Sequence, residues 1–191
     1  MKNFLQEEIK LQLEAEIREQ IELVSRLRLA DPAKLLQQPA PGKWSIIQVL
    51  EHLNSYGYFY IPEIEKAILR AKAGRGVYKP GWLGNYFVNL MAVNEQEVPK
   101  KKMKAASRHE PQFLADSKPV IDRFLQQQQQ LLDLLQKASD ADWGSSKTKI
   151  SISSFIKMKL GDTLRFVVAH QQRHMYQIKR QWPVAEPAYA R

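Results

Sequence analysis

The segment DTLRFVVAHQQRHMYQIKRQ, Asp162 to Gln181, sets two histidines four residues apart inside a run whose apolar residues recur at helical spacing. At about 100° per residue, His170 and His174 fall in the same arc as Phe166, Val167 and Ile178, whereas Arg165, Arg173 and Arg180 fall outside it. The spacing predicts a helix with both imidazoles facing inward. Imidazole is the commonest protein metal ligand, and two from successive turns converge on one ion when a third group approaches from elsewhere. His52, on a second apolar segment, is the candidate for that third group.

Working outward, the remaining long segments are also helical in pattern. Phe4 to Leu29 contains neither proline nor glycine and repeats Ile9, Leu13, Ile17, Ile21 and Val24. Asp31-Pro32 reads as an N-cap followed by proline in the first turn of a short helix through Leu35 and Leu36. After the loop Pro39–Trp44, Ser45 is an N-cap with Gln48 at the capping-box position. That helix carries Ile46, Val49, Leu50, Leu53, Tyr56 and Tyr60 as its buried stripe, with His52 at the edge. It is expected to pass through Pro62, with a kink, and to stop at Gly74–Gly76.

A long connection from Val77 to Ser117 holds a short helix at Trp82–Met91, a lysine knot at Lys100, Lys101, Lys102 and Lys104, and His109. Its length suggests that it covers one end of the fold and helps to line a pocket. Asp116–Lys137 is a third long helix, in which Gln126–Gln130 is expected to form helix surface. Trp143–Ser154 is β-branched in part but too short to establish a sheet. Four long helices with a long crossover connection describe an all-α four-helix bundle. Residues 1–191 are expected to form a single domain, with a core over about 4–182 and a tail from 183.

Composition narrows the chemistry. The 191 residues include no cysteine, which excludes disulfides, thiolate metal sites and a cysteine nucleophile. The formal charge is +9 and the sequence pI about 9.7, with nine basic residues facing two acids between Lys147 and Arg191. A solvated face explains such runs; no helix-turn-helix or aromatic-basic platform accompanies them, so nucleic acid is not the expected partner. The N-terminal stretch lacks a signal-peptide core and no segment reaches membrane-spanning length, so a cytoplasmic protein without a membrane partner is expected. No nucleophile-elbow serine or phosphate-cradling glycine loop is present.

Three histidines from two helices suit a divalent ion such as Zn²⁺ or Ni²⁺, with water completing the sphere. On residue types alone, core histidines bonded to backbone carbonyls remain an equal alternative. No carboxylate is marked as a general base: Glu51, beside His52, turns away from the buried stripe and reads as a surface residue. Gln48 and Tyr56, each one turn from His52, read as packing or as partners behind the ligands, and Gln177 is a further candidate near His174. His109, beside Pro111, reads as an exposed loop residue.

The run Pro41-Gly42-Lys43-Trp44-Ser45-Ile46, continuing to Gln48-Val49-Leu50-Glu51-His52-Leu53, together with His170-x-x-x-His174 and the following Gln177-Ile178, resembles the DinB-like superfamily (DinB/YfiT type) of bacterial metal-binding bundles. The resemblance implies a four-helix bundle whose metal ligands are His52, His170 and His174. It further implies a metal-dependent hydrolase, or a transferase that uses a low-molecular-weight thiol, acting on a small-molecule substrate. A non-enzymatic, stress-induced metal-binding or dimerisation bundle is the alternative, and a homodimer is compatible with either.

Overall fold

The computed structural model describes residues 3–74, 76–93, 105–112 and 114–182. The lysine knot at 100–104 and the tail from 183 lie outside the described residues. Four long helices dominate: α1 (Gln6–Leu27), α3 (Ile46–Arg70), α5 (Lys118–Lys137) and α6 (Leu160–Gln181). The short helices α2 (Pro32–Leu36) and α4 (Trp82–Met91) lie in the connections.

Helix ends follow the sequence closely. Asp31 caps α2, its carboxylate accepting from the Ala33 amide at 2.9 Å. Ser45 and Gln48 form the expected capping box: Ser45 Oγ accepts from the Gln48 amide at 3.2 Å, and Gln48 Oε1 accepts from the Ser45 amide at 3.0 Å. Helix α3 continues through Pro62 to Arg70.

Packing fixes the topology. Both α1 and α3 lie against α5 and α6, so α1 faces α3 across the bundle diagonal. Leu27 of α1, Leu50 of α3, Phe124 of α5 and Ile178 of α6 share one apolar cluster, whereas Leu13, Ile64, Leu135 and Leu164 from the same helices share the other. The C-terminal ends of α1 and α6 therefore meet the N-terminal ends of α3 and α5. Neighbours α3 and α5 run parallel, so the chain must travel back along the bundle between them, which accounts for the long connection 71–117.

Between the two apolar clusters the helical stripes place glutamines. Gln20, Gln128 and Gln171 occupy core positions between Ile17 and Val24, Phe124 and Leu131, and Val167 and Met175, and all three are buried. The expectation that Gln126–Gln130 forms helix surface is therefore corrected at two positions. Gln127 donates to the Asn54 carbonyl at 3.2 Å, and Gln128 is fully buried with neither amide atom hydrogen-bonded to a described residue. A helix cannot keep five consecutive side chains on one solvent face, because four steps of about 100° carry them past a full turn and turn some of them inward. Gly57 makes room for Gln127: a Cβ there would lie 2.1 Å from its Oε1.

Two small sheets complete the fold. Strand β1 (Phe4–Leu5) pairs antiparallel with β2 (Val77–Tyr78), and β3 (Lys147–Ile150) pairs antiparallel with β4 (Ser153–Lys159). The hairpin corrects the reading of Trp143–Ser154 as too short for a sheet. Lys147-Thr148-Lys149-Ile150 alternates exposed and buried residues, and its partner begins only at Ser153, beyond a turn that lacks the Asn-Gly or Asp-Gly signal.

Candidate metal centre

His52 lies two turns into α3, and His170 and His174 lie at and just beyond the middle of α6, the antiparallel neighbour of α3. Their rings meet between the two helices. One nitrogen from each lies within 4.8 Å of the others, and His52 Nε2 is 3.4 Å from His170 Nε2. Two imidazoles bound to a tetrahedral ion at about 2.0–2.1 Å hold their nitrogens roughly 3.3 Å apart, so this pair already has ligand spacing. His52 and His170 are buried, and His174 is half-buried.

Hydrogen bonds behind the rings set the tautomers. His52 Nδ1–H donates to the His109 carbonyl at 2.8 Å, which leaves Nε2 bare and facing His170. His174 Nδ1–H donates to Gln177 Oε1 at 3.0 Å, which likewise frees its Nε2. Burial pushes the pKa of each ring down: His52 against the opposing effect of the His109 carbonyl, His170 well below its ordinary value, and His174 to about 3 with the His52 charge adding to the effect. All three are neutral at pH 7, the state that coordinates a metal. His52 Nε2 and His174 Nε2 are thus left as bare acceptors, and a divalent cation beside them would be held by both and by His170 Nε2, which lies 3.4 Å from His52 Nε2. The residues fit a metal ion.

His109 corrects the reading of an exposed loop residue. It is only 4% exposed, in a 3₁₀ turn, Ser107–His109, that packs on α3. Ser55 Oγ donates to the His52 carbonyl at 2.7 Å and accepts from His109 Nδ1–H at 2.9 Å, so the turn and the ligand helix are laced together. Burial lowers the His109 pKa to about 4, with His52 and Arg108 adding to the effect. His109 follows Lys104, the last lysine of the knot, by five positions, and nothing in the local pattern marks the turn as packed, because His109-Glu110-Pro111 has the composition of a solvent-facing loop.

The other candidates divide. Tyr56 lies against the site, its ring centroid 4.3 Å from His170, 5.0 Å from His52 and 3.9 Å from His109. Burial, with Tyr60 adding to it and a Ser151 hydrogen bond opposing, pushes its phenol up to about 12. Gln177 orients His174. Gln48 is taken up by the cap and by Gln38, which donates to its Oε1 at 3.3 Å, and it does not line the cavity. Glu51 faces α5, accepting from Asn54 at 3.2 Å and lying 3.9 Å from Arg123.

A cavity of about 720 Å³ opens onto the three imidazoles. Trp44, from the loop before α3, forms one wall, with its ring centroid 4.9 Å from His52 and 6.4 Å from His174. Phe87 and Met91 of α4 form another, and Ile150 and Ser151 of the hairpin reach the same space. The long connection thus lines the pocket, as its length suggested. Arg173, outside the apolar arc by angle, is nonetheless buried beneath α4, donating to the Leu90 carbonyl at 3.3 Å, and it lines the cavity too.

The DinB superfamily sequence profile matches residues 12–178 of the chain. The chain belongs to the DinB superfamily. The match spans α1 to the last turn of α6 and so includes all three histidines of this DinB bundle. Comparisons with curated proteins and with solved structures returned no match.

Proposed function

We propose that this DinB-superfamily protein is a metal-dependent enzyme in which His52, His170 and His174 hold a divalent ion, Zn²⁺ or Ni²⁺, with open coordination toward the cavity. The observation that carries the reading is the convergence of three neutral imidazoles at one side of a cavity large enough for a small organic molecule. Three protein ligands with adjoining free space are the pattern of catalytic rather than structural sites. A divalent ion there lowers the pKa of a water or thiol that it carries, and so supplies a nucleophile at neutral pH. The reaction class is accordingly hydrolysis, or transfer involving a low-molecular-weight thiol.

The chain's own residues do the rest. His109 and Gln177 hold two ligands in the correct tautomer; Trp44, Phe87 and Met91 exclude water from one side of the substrate space. The Tyr56 phenol, kept protonated to about 12, is a hydrogen-bond donor across the working pH range. Substitution with Co²⁺ tests the proposal: azide or a small thiol should change the visible spectrum of the Co²⁺ protein. A spectrum indifferent to both would mean a closed site, and would favour a bundle that uses metal for stability alone.

A further inference from the structure

The β3–β4 hairpin carries a charge pattern that the metal centre does not use. Its register sets Lys147 opposite Lys159 and Lys149 opposite Lys157 across the two strands. Like charges placed directly opposite one another destabilise a strand pair. Thr148, Ile150 and Met158 take the buried face, so the lysines share the outer one. Lys159 Nζ donates to the Lys79 carbonyl at 2.8 Å, which leaves its charge uncompensated. Among the described residues, none of the four lysines has a carboxylate partner. Two more cations hold the hairpin backbone: Arg70 donates to the Lys147 carbonyl at 3.2 Å, and Arg108 donates to the Ser151 carbonyl. Against them stands Glu63, which accepts from the Lys149 amide at 3.1 Å and lies 3.7 Å from Lys66.

The end of the hairpin is apolar. Its register shifts after Lys149, so the residues between Ser153 and Lys157 bulge from the ladder. Phe155, in that bulge, is 94% exposed; Ile156 and, in the turn, Ile152 are exposed as well. Three large apolar side chains within five residues, rimmed by cations, mark an interaction surface.

We propose that this hairpin docks on an anionic phospholipid surface, with Phe155, Ile156 and Ile152 entering the interfacial layer and the four lysines lying at the phosphates. Anionic headgroups neutralise cations that face one another unpaired in the free protein, and each lysine near such a surface strengthens binding about fivefold. Branched aliphatic side chains beside an aromatic ring suit the boundary between headgroups and acyl chains better than the polar backbone of a nucleic acid. The expectation of no membrane partner came from the lack of a spanning segment, and docking at the surface requires none. None of the described helices is long and apolar enough to cross a membrane. Ile150, Ser151 and Ile152 also line the cavity, so the docked turn is part of the cavity wall. The inference goes beyond the proposed enzyme and does not depend on the metal.

Co-sedimentation of the full chain with lipid vesicles tests it. Vesicles of phosphatidylcholine alone are compared with vesicles in which about a third of the lipid is phosphatidylglycerol, at low and at high NaCl. The expected result is at least about thirtyfold tighter binding to the anionic vesicles at low salt, falling about tenfold or more at high salt. Phe155→Ser should weaken binding about fivefold and leave its salt dependence unchanged. Lys157→Glu turns a like-charge pair into an opposite-charge one, so it should keep or raise the melting temperature while weakening binding about tenfold. Lys34→Glu, exposed on α2 beside the other apolar cluster, should change binding less than about twofold. Equal binding to both vesicles, no binding to either, or Phe155→Ser without effect would each overturn the inference. So would a Lys34→Glu loss as large as that of Lys157→Glu, because net charge alone would then explain the binding. Tight binding to a labelled DNA duplex with none to the anionic vesicles would overturn it too, and would reassign the hairpin to nucleic acid.

Discussion

Acid should destabilise the metal-free protein well above the range in which carboxylates titrate. His109 is 4% exposed and its pKa is lowered to about 4, from an ordinary value of 6.5. The folded state therefore resists a proton that the unfolded chain accepts, so the stability due to the neutral ring is complete above about pH 6.5 and is lost as pH falls toward 4. Between pH 7.5 and 5 that one ring accounts for about 2 kcal/mol, close to 1.5 pH units at 1.36 kcal/mol each. His52, His170 and His174 are lowered chiefly by burial and act in the same direction, whereas Glu16, raised by burial, acts against them toward pH 5. Urea denaturation in the presence of a chelator, followed by tryptophan fluorescence at half-unit steps of pH, measures this directly. The expected outcome is a loss of about 2 kcal/mol across the window, with His109→Asn reducing the slope by up to one proton. A stability that stays level within about 0.5 kcal/mol, or that rises with acid, would refute the assignment of buried neutral imidazoles.

Two further changes test the packing. Gly84 of α4 lies against the buried carboxylate of Asp162, which accepts from the Tyr78 hydroxyl and the Gly81 amide; a Cβ at position 84 would stand 2.1 Å from Asp162 Cγ. Gly84→Ala should therefore destabilise by about 1–3 kcal/mol despite its better helix propensity, and an unchanged or raised melting temperature would contradict the contact. Gln128→Met removes two buried amide atoms that have no partner among the described residues, at nearly equal volume, and should raise stability by about 1–3 kcal/mol. A loss of stability on that change would show that the Gln128 amide is satisfied in solution.

The helices were legible because each carries a long apolar period with a clear start: Asp31, Ser45 and the Gly161-Asp162 pair all stand within a residue or two of an observed helix end. The ligand helix was legible for the same reason, since a four-residue interval leaves both imidazoles on one face whatever surrounds them. That His52 meets them was not fixed by periodicity, because it depends on α3 and α6 being antiparallel neighbours; the resemblance supplied it. His109 and Arg173 were misjudged for a common physical reason. Both are covered by the long connection, His109 within it and Arg173 beneath α4, and the burial conferred by such a segment leaves no period in the sequence. The buried glutamines escaped notice because propensity describes their fitness for a helix but not which way they face.

The most direct test of the central claim is metal analysis of tag-free protein, coupled to the ligand variants. Elemental analysis should find about one divalent ion per chain, with X-ray absorption showing a first shell of imidazole nitrogens at about 2.0–2.1 Å. His52→Ala, His170→Ala and His174→Ala should each abolish stoichiometric binding while the helical circular dichroism persists. Metal-free protein whose melting temperature is unmoved by added Zn²⁺ or Ni²⁺, or full metal content retained after loss of His52, would contradict the account.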